Sequence, residues 1–268
     1  MTKTRLDRRM VDSGMVATRS KAQALVLAGQ VKVNGRRETK AGAMVQDTDV
    51  LTIDGPKLPY VSRGGLKLAH ALDRFSIDPT GFDVVDVGAS TGGFTDCWLQ
   101  QGAHVVYAVD VGYGQLDWRL RGDPRVIVRE RLNARWLTLG QLDRTEPLNA
   151  ASIDASFIGI GLLLAPLHSM LAPDGAVIGL IKPQFEAGPR HLSKHGVVRD
   201  PVVHRAVLEA VVQKAFDLGY HIAGMAVSPI RGPEGNIEFL GYWTLKAANA
   251  IEVDLNRVVD EAWQGASE

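Results

Sequence analysis

Lys67, Asp154, Lys182 and Glu238 are two amines and two carboxylates spread over more than half of a 268-residue chain. Brought to one pocket, they form a set that can take a proton from a weakly acidic hydroxyl and hold its oxygen in line for attack. Lysine does this only when its ammonium form is disfavoured. Burial and a second cation nearby both achieve that, and Lys67 beside Lys182 would supply the second. Asp154 and Glu238 would orient the amines and keep them from being uncompensated. Lys182 is the expected base or hydroxyl-polarising group, Asp154 its orienter, and Lys67 and Glu238 the groups that position the acceptor. Any one of the four alone reads as an ordinary ion pair; the grouping carries the expectation.

The second chemical feature is the run Asp86-Val87-Gly88-Ala89-Ser90-Thr91-Gly92-Gly93-Phe94, between an apolar strand and a helix. Glycines there let the backbone turn sharply and admit a cofactor without a Cβ in the way. Asp110 closes the next strand 22 residues beyond Gly88, the offset of a carboxylate that binds ribose hydroxyls. Ser90 stands where a dinucleotide loop has its middle glycine. Asp86 suits a cofactor with a cationic amino-acid end better than a pyrophosphate. Asn133 after the third strand reads either as an adenosine contact or as a helix cap.

These residues need a sheet to carry them. From residue 64 onward strands and helices alternate: a helix over 66–75, a strand over 83–87, a helix over 94–101, strands over 104–109 and 126–129, and a weaker one over 151–153 ending at Asp154. A core helix over 157–167, strands over 175–181, 220–227 and 237–245, and a long helix over 201–218 complete the pattern. Such alternation means a mostly parallel sheet covered by helices on both faces. Ligands bind such sheets beyond the carboxyl ends of the strands. Asp154 and Lys182 end strands there. Glu238 reaches the same edge if its strand runs antiparallel. Phe157 reads either as a surface for stacking a displaced base or as a core residue opening the next helix. Arg63, Arg135 and Arg190 are candidate phosphate contacts.

Residues 1–56 differ in kind, with 57–63 as the expected linker around Pro56 and Pro59. Leu6, Met10 and Val11 make one helical stripe stopped by Gly14. Ser20 is the expected cap of a second helix, whose face carries Ala24, Leu25 and Ala28, with Gly29 as its stop. Val31-Lys32-Val33 meets the turn signal Asn34-Gly35, and Val50-Leu51-Thr52-Ile53 closes the unit. Residues 1–40 hold ten Lys or Arg against three acids, although the whole chain is neutral. A neutral protein with a basic head grips a polyanion with that head. Arg5, Arg8, Arg9, Arg19, Lys21, Lys32, Arg36, Arg37 and Lys40 are the candidate contacts to that polyanion, whose phosphates would supply the affinity if it is a nucleic acid.

Cys97 is the one cysteine, so no disulfide framework exists and a reducing, cytoplasmic setting is expected. No secretory signal, membrane span or metal constellation is visible, and no obligate protein partner is evident.

The head resembles the small α+β RNA-binding domain of the ribosomal-protein-S-four type, shared with pseudouridine synthases and tyrosyl-tRNA synthetases. Arg5-Leu6-Asp7, Thr18-Arg19-Ser20-Lys21-Ala22 and Gly29-Gln30-Val31-Lys32-Val33-Asn34-Gly35 carry that likeness. The chain as a whole resembles the TlyA family, ribosomal RNA (cytidine-2′-O)-methyltransferases often labelled haemolysins. The resemblance rests on Val61-Ser62-Arg63-Gly64-Gly65-Leu66-Lys67-Leu68, the glycine loop, Asp110-Val111-Gly112-Tyr113-Gly114-Gln115-Leu116, Ile181-Lys182-Pro183-Gln184-Phe185-Glu186 and Gly235-Asn236-Ile237-Glu238. It implies a Rossmann-like methyltransferase domain over 64–268 with a seven-stranded sheet and an FtsJ-like Lys-Asp-Lys-Glu tetrad. It also implies S-adenosylmethionine as donor and ribosomal RNA or ribosomal subunits as substrate. Some members act on the large subunit alone, others on both, which confers susceptibility to capreomycin and viomycin. Pro147-Leu148-Asn149-Ala150 departs from the family pattern and leaves the start of the fourth strand undefined. The tail over 251–268 looks helical. A non-catalytic RNA-binding factor would be marked by an incomplete tetrad, a membrane-active haemolysin by an insertion segment, and an NAD enzyme by a glycine in place of Ser90.

Overall fold

The computed structural model describes residues 3–16, 18–54 and 58–264. Residues 55–57, which include the first residue of the expected linker, and residues 265–268 of the tail expected to be helical lie outside them. The chain divides into two compact units, Met1–Leu58 and Pro59–Glu268. Tyr60 and Val61, expected in the linker, pack on the core of the second unit.

In the first unit β1 (Lys3–Arg5), α1 (Leu6–Asp12) and α2 (Arg19–Leu27) are followed by β2 (Val31–Val33), β3 (Arg36–Glu38), β4 (Met44–Gln46) and β5 (Leu51–Ile53). The strands pair as β3-β2-β5 and β1-β4. The core is Leu6, Met10, Val16, Ala22, Val26, Val31 and Val45; each large apolar side chain so buried contributes about 1.5–3 kcal/mol. Asn34 and Gly35 take the left-handed backbone that a tight hairpin requires (φ 50° and 79°). Two sequence expectations shift here. Thr18, not Ser20, caps α2, its hydroxyl accepting from Lys21 N at 3.2 Å. The buried face of α2 is Ala22 and Val26, with Leu25 packed partly against the same core, while Ala24 and Ala28 are exposed.

The second unit contains α3 (Gly64–Arg74), β6 (Asp83–Val87), α4 (Gly93–Gln100), β7 (Val105–Val109), α5 (Trp118–Arg121), β8 (Val126–Arg129) and β9 (Leu148–Ile153). These are followed by α6 (Gly161–His168), β10 (Leu171–Ile181), α7 (Pro183–Glu186), α8 (Pro201–Asp217), β11 (His221–Val227), β12 (Phe239–Thr244) and α9 (Leu255–Gln264). One seven-stranded sheet runs β11-β12-β10-β9-β6-β7-β8. β12 is antiparallel to both its neighbours, and the other recorded pairings are parallel. The doubly wound, mostly parallel sheet is the one expected from the alternation of apolar runs. β9 begins at Leu148, because that residue pairs with Leu171 and is fully buried. The helix expected over 157–167 is confined to Gly161–His168.

This topology places the tetrad. Asp154 and Lys182 follow β9 and β10 directly. Glu238 precedes the one reversed strand, so it meets them at the same sheet edge. Lys67 comes from α3, which lies against α4. A Cβ on Gly93 would sit 2.8 Å from Gly65 N and 3.1 Å from Gly64 Cα, so glycine there sets the closeness of the two helix starts. Among the described residues no helix is long and apolar enough to cross a membrane, and no cluster of metal-ligating side chains occurs.

Candidate active site

All four tetrad residues line one cavity of about 650 Å³, within the range of small-molecule sites. They form two ion pairs. Lys67 Nζ donates to Glu238 Oε2 at 2.6 Å. Lys182 Nζ lies 2.7 Å from Asp154 Oδ1 and donates to Ser156 Oγ at 3.1 Å. Lys67, Lys182 and Glu238 are buried, with Glu238 1% exposed; the Asp154 side chain is 22% exposed. Glu238 Oε1 is buried without a partner among the described residues. It faces Gly232, whose missing side chain leaves it room.

The glycine loop forms one wall. Gly88 (φ 83°), Ser90 (φ 49°) and Gly92 (φ 94°) take the left-handed conformation in succession with ordinary residues between them. A Cβ on Gly88 would lie 2.7 Å from Asp154 O, so glycine lets the end of β6 close onto the end of β9. Ser90, Thr91, Gly93 and Phe94 line the tetrad cavity. Gly92 does not: its Cα faces Leu116 and Leu120, where a Cβ would lie 2.8 Å from Leu116 Cδ1.

A second cavity of about 360 Å³ adjoins, sharing Gly88, Ser90, Asp154, Ser156 and Phe157 with the first. Its walls are mainly apolar, including Val87, Val109, Leu132, Ala134 and Ile158, with Asp110, Gln115 and Asn133 as polar members beside the shared Ser90, Asp154 and Ser156. The Asp110 carboxylate is fixed by Ser90 N at 2.7 Å and Gly112 N at 2.6 Å. Each oxygen keeps a lone pair for a hydroxyl. Apolar walls with one anchored carboxylate suit an adenosine, and the shared glycine wall leads from there to the amines. Asn133 caps the next turn, accepting from Arg135 N at 3.1 Å, and also lines this cavity.

Asp86 is corrected. It is fully buried and lines neither cavity. Its carboxylate accepts from Thr95 Oγ1 at 2.7 Å and Ser152 Oγ at 2.8 Å, and Ser152 accepts in turn from Trp98 Nε1 at 2.9 Å. Burial pushes its carboxyl up to about 6, against the pull of those hydroxyls. It ties β6, β9 and α4 together beneath the loop.

Phe157 is 91% exposed with left-handed backbone (φ 63°), so it does not open a helix in the core. Its ring leans on Phe185 with centroids 5.0 Å apart, at the rim of the tetrad cavity. Arg63 lines that cavity. Arg135 lies over the exposed Trp136 ring at 5.7 Å, and Arg190 sits on an exposed turn; neither lines either cavity. Ser62, Ser156, Gln184, Phe185, Arg231 and Gly232 also line the cavity but were not assigned from sequence. Ser156 and Gln184 each lie two residues past a tetrad member at a strand end, the one signal that pointed to them.

The basic candidates of the head divide. Asp7 is fully buried and draws in Arg5 Nη2 at 3.0 Å, Arg19 Nε at 2.9 Å and Gln23 Nε2 at 2.9 Å. The Arg5 guanidinium, with Gln23 and Arg19, holds the Asp7 carboxyl well below the usual range. Arg5 and Arg19 therefore fasten β1 and α1 to α2. Lys32 pairs with Asp54 at 2.7 Å, Arg9 with Asp47 at 3.7 Å and Arg8 with Asp12 at 3.7 Å. Lys21, Arg36, Arg37 and Lys40 are exposed, and no ion pair joins them to another described residue.

Comparison with known proteins identifies the family of each domain. Residues 60–244 match the FtsJ-like methyltransferase family and residues 4–51 the S4 domain. The chain is 44% identical to the Bacillus subtilis protein YqxC, named as an rRNA methyltransferase, over 97% of this chain and 94% of that one. It is 39% identical to the 16S/23S rRNA (cytidine-2′-O)-methyltransferase TlyA of Mycobacterium tuberculosis, over 97% of this chain and 98% of that one. A solved structure of a hemolysin-named protein from Streptococcus thermophilus is 42% identical, covering 100% of this chain and 98% of its own, with a TM-score of 0.78. The chain thus belongs to the FtsJ-like methyltransferase family, S-adenosylmethionine-dependent enzymes, and carries an S4 RNA-binding domain before its catalytic one.

Proposed function

We propose that this enzyme methylates the ribose 2′-hydroxyl of a cytidine in ribosomal RNA, in the cytoplasm. The observation that carries the reading is the pair of buried lysine–carboxylate bridges, Lys182–Asp154 and Lys67–Glu238, at one cavity beside the glycine loop. The 2′-O-methyltransferase name of the Mycobacterium tuberculosis relative supports it, as does the S4 domain.

Bound S-adenosylmethionine supplies a methyl group on a cationic sulfur, so the protein need only align the acceptor and receive one proton. Gly88, Ser90, Thr91 and Gly93 form the wall for the donor's amino-acid end, and Asp110 and Asn133 meet its ribose and adenine. Lys182, once its ammonium has given up its own proton to solvent, accepts the 2′-hydroxyl proton as the methyl group arrives. The ammonium so restored is paired with Asp154 and donates to Ser156. Lys67, fixed by Glu238, holds the ribose oxygens in line. Phe157 offers its exposed face to the target base. Lys21, Arg36, Arg37 and Lys40 hold RNA phosphates, with Arg5, Arg8, Arg19 and Lys32 contributing what their internal pairs leave free.

Separated large and small ribosomal subunits incubated with labelled donor test this. Label in a dinucleotide that survives alkaline hydrolysis and contains cytidine supports it, because a 2′-O-methyl blocks that cleavage. Label on a base, or none on RNA, refutes it. The two subunits in separate tubes reveal whether one or both are substrates.

A further inference from the structure

Gln184 lies in α7, two residues beyond Lys182, and lines the tetrad cavity. Its amide oxygen is buried and has no hydrogen-bond partner among the described residues. A buried acceptor without a donor is unfavourable, and a ligand that donates to it removes that cost. Its neighbour Phe185 leans on Phe157, whose ring is 91% exposed at the cavity rim. A flat aromatic surface at the rim with an unpaired amide acceptor inside has the features of a nucleobase seat: one part stacks on a face and the other reads an edge.

We propose that Gln184 selects the target base. Its amide oxygen accepts from the exocyclic amino group, and its amide N–H donates to the adjacent ring nitrogen. Cytosine presents that pair as N4–H and N3. Uracil presents the reverse, O4 and N3–H, and sets acceptor against acceptor. Turning the amide over to suit uracil would put its NH₂ where the oxygen is, in a cavity that two lysine ammonium groups line. The inference rests on the 2′-O-methylation reading and adds to it the group that chooses the base.

The test uses the full chain and a ribosomal RNA fragment that it methylates. The fragment is made with cytidine, uridine or a cytidine analogue lacking the 4-amino group at the target. For the wild type, loss of the amino group lowers kcat/KM about ten- to hundred-fold. Gln184→Ala loses at least that factor on cytidine and nothing further on the analogue, because the truncation already removes the bond to the amino group, together with the one to N3. Gln184→Glu keeps the acceptor and retains a preference for the amino-bearing target. Equal discrimination by wild type and Gln184→Ala overturns the proposal. So does a raised KM for S-adenosylmethionine with base preference unchanged, which would put the amide in the donor site. Absence of ribose methylation on every fragment by the wild type would overturn the underlying reading, and this one with it.

Discussion

Replacing Lys67 by Met isolates the energetics of the deeper bridge. Glu238 is 1% exposed; one carboxylate oxygen is held by Lys67 at 2.6 Å and the other has no partner among the described residues. Lys67→Met leaves a buried anion with nothing in place of the ammonium. Removing one partner of a buried pair costs about 3–5 kcal/mol. For a unit of this size that lowers Tm by roughly 6–20 °C. The double variant Lys67→Met, Glu238→Gln removes both charges and should return to within about 1 kcal/mol of the wild type, because the pair itself contributes little net stability. Urea unfolding followed by tryptophan fluorescence measures all three proteins, and both variants should lack transferase activity. The more exposed bridge gives the contrast. Asp154→Asn leaves Lys182 with Ser156 and solvent, and should cost only about 1–3 kcal/mol. A Lys67→Met loss below 1 kcal/mol, or a double variant as unstable as the single one, would refute this reasoning.

Four further outcomes follow from the same structure. Asp86, raised from 3.8 to about 6, takes up a proton on folding in that interval, so its contribution to stability falls as pH rises through it. The stability of Asp86→Asn relative to wild type should therefore climb between pH 4 and 6, by about 3 kcal/mol at most, in denaturation at stepped pH. His204 works in the opposite direction. Burial holds it near 4 against 6.5, and its Nδ1 accepts from Trp263 Nε1 of α9 at 3.1 Å, so stability present above 6.5 is lost as pH falls towards 4. His204→Phe should flatten that acid limb, and an unchanged limb would contradict it. In the head, Lys21→Ala, Arg36→Ala and Lys40→Ala together should lower the slope of log affinity for RNA against log salt by about 2–3 without changing Tm. Arg5→Ala should instead lower Tm, because it strips a partner from buried Asp7.

The strands were legible because β7 and the second half of β10 are near-continuous apolar runs, and the tetrad was legible because Asp154, Lys182 and Glu238 abut strands. What escaped depended on facing, which sequence does not carry. Asp86 lies one residue short of the end of β6, whereas Asp154 lies just past the end of β9; β6–β9 register sets Asp86 opposite Ser152, its hydrogen-bond partner beneath the loop. Gly88 and Gly92 were recognisable as backbone specials, yet what comes close to them is protein: Asp154 O for one, Leu116 and Leu120 for the other. Thr18 and Ser20 are equally good caps, and packing of Ala22 and Val26 decided between them. Arg5 and Arg19 looked like surface charge until tertiary structure buried Asp7 between them.

The most direct measurement of the central claim compares wild type with Lys182→Met on ribosomal RNA. S-adenosylmethionine binding is followed by calorimetry and methyl placement by nucleoside mass spectrometry. Both proteins should bind the donor comparably, the wild type should yield 2′-O-methylcytidine, and the variant should be slower by about 10²–10⁴-fold. Methylation retained by the variant, or found on a base, would contradict the account.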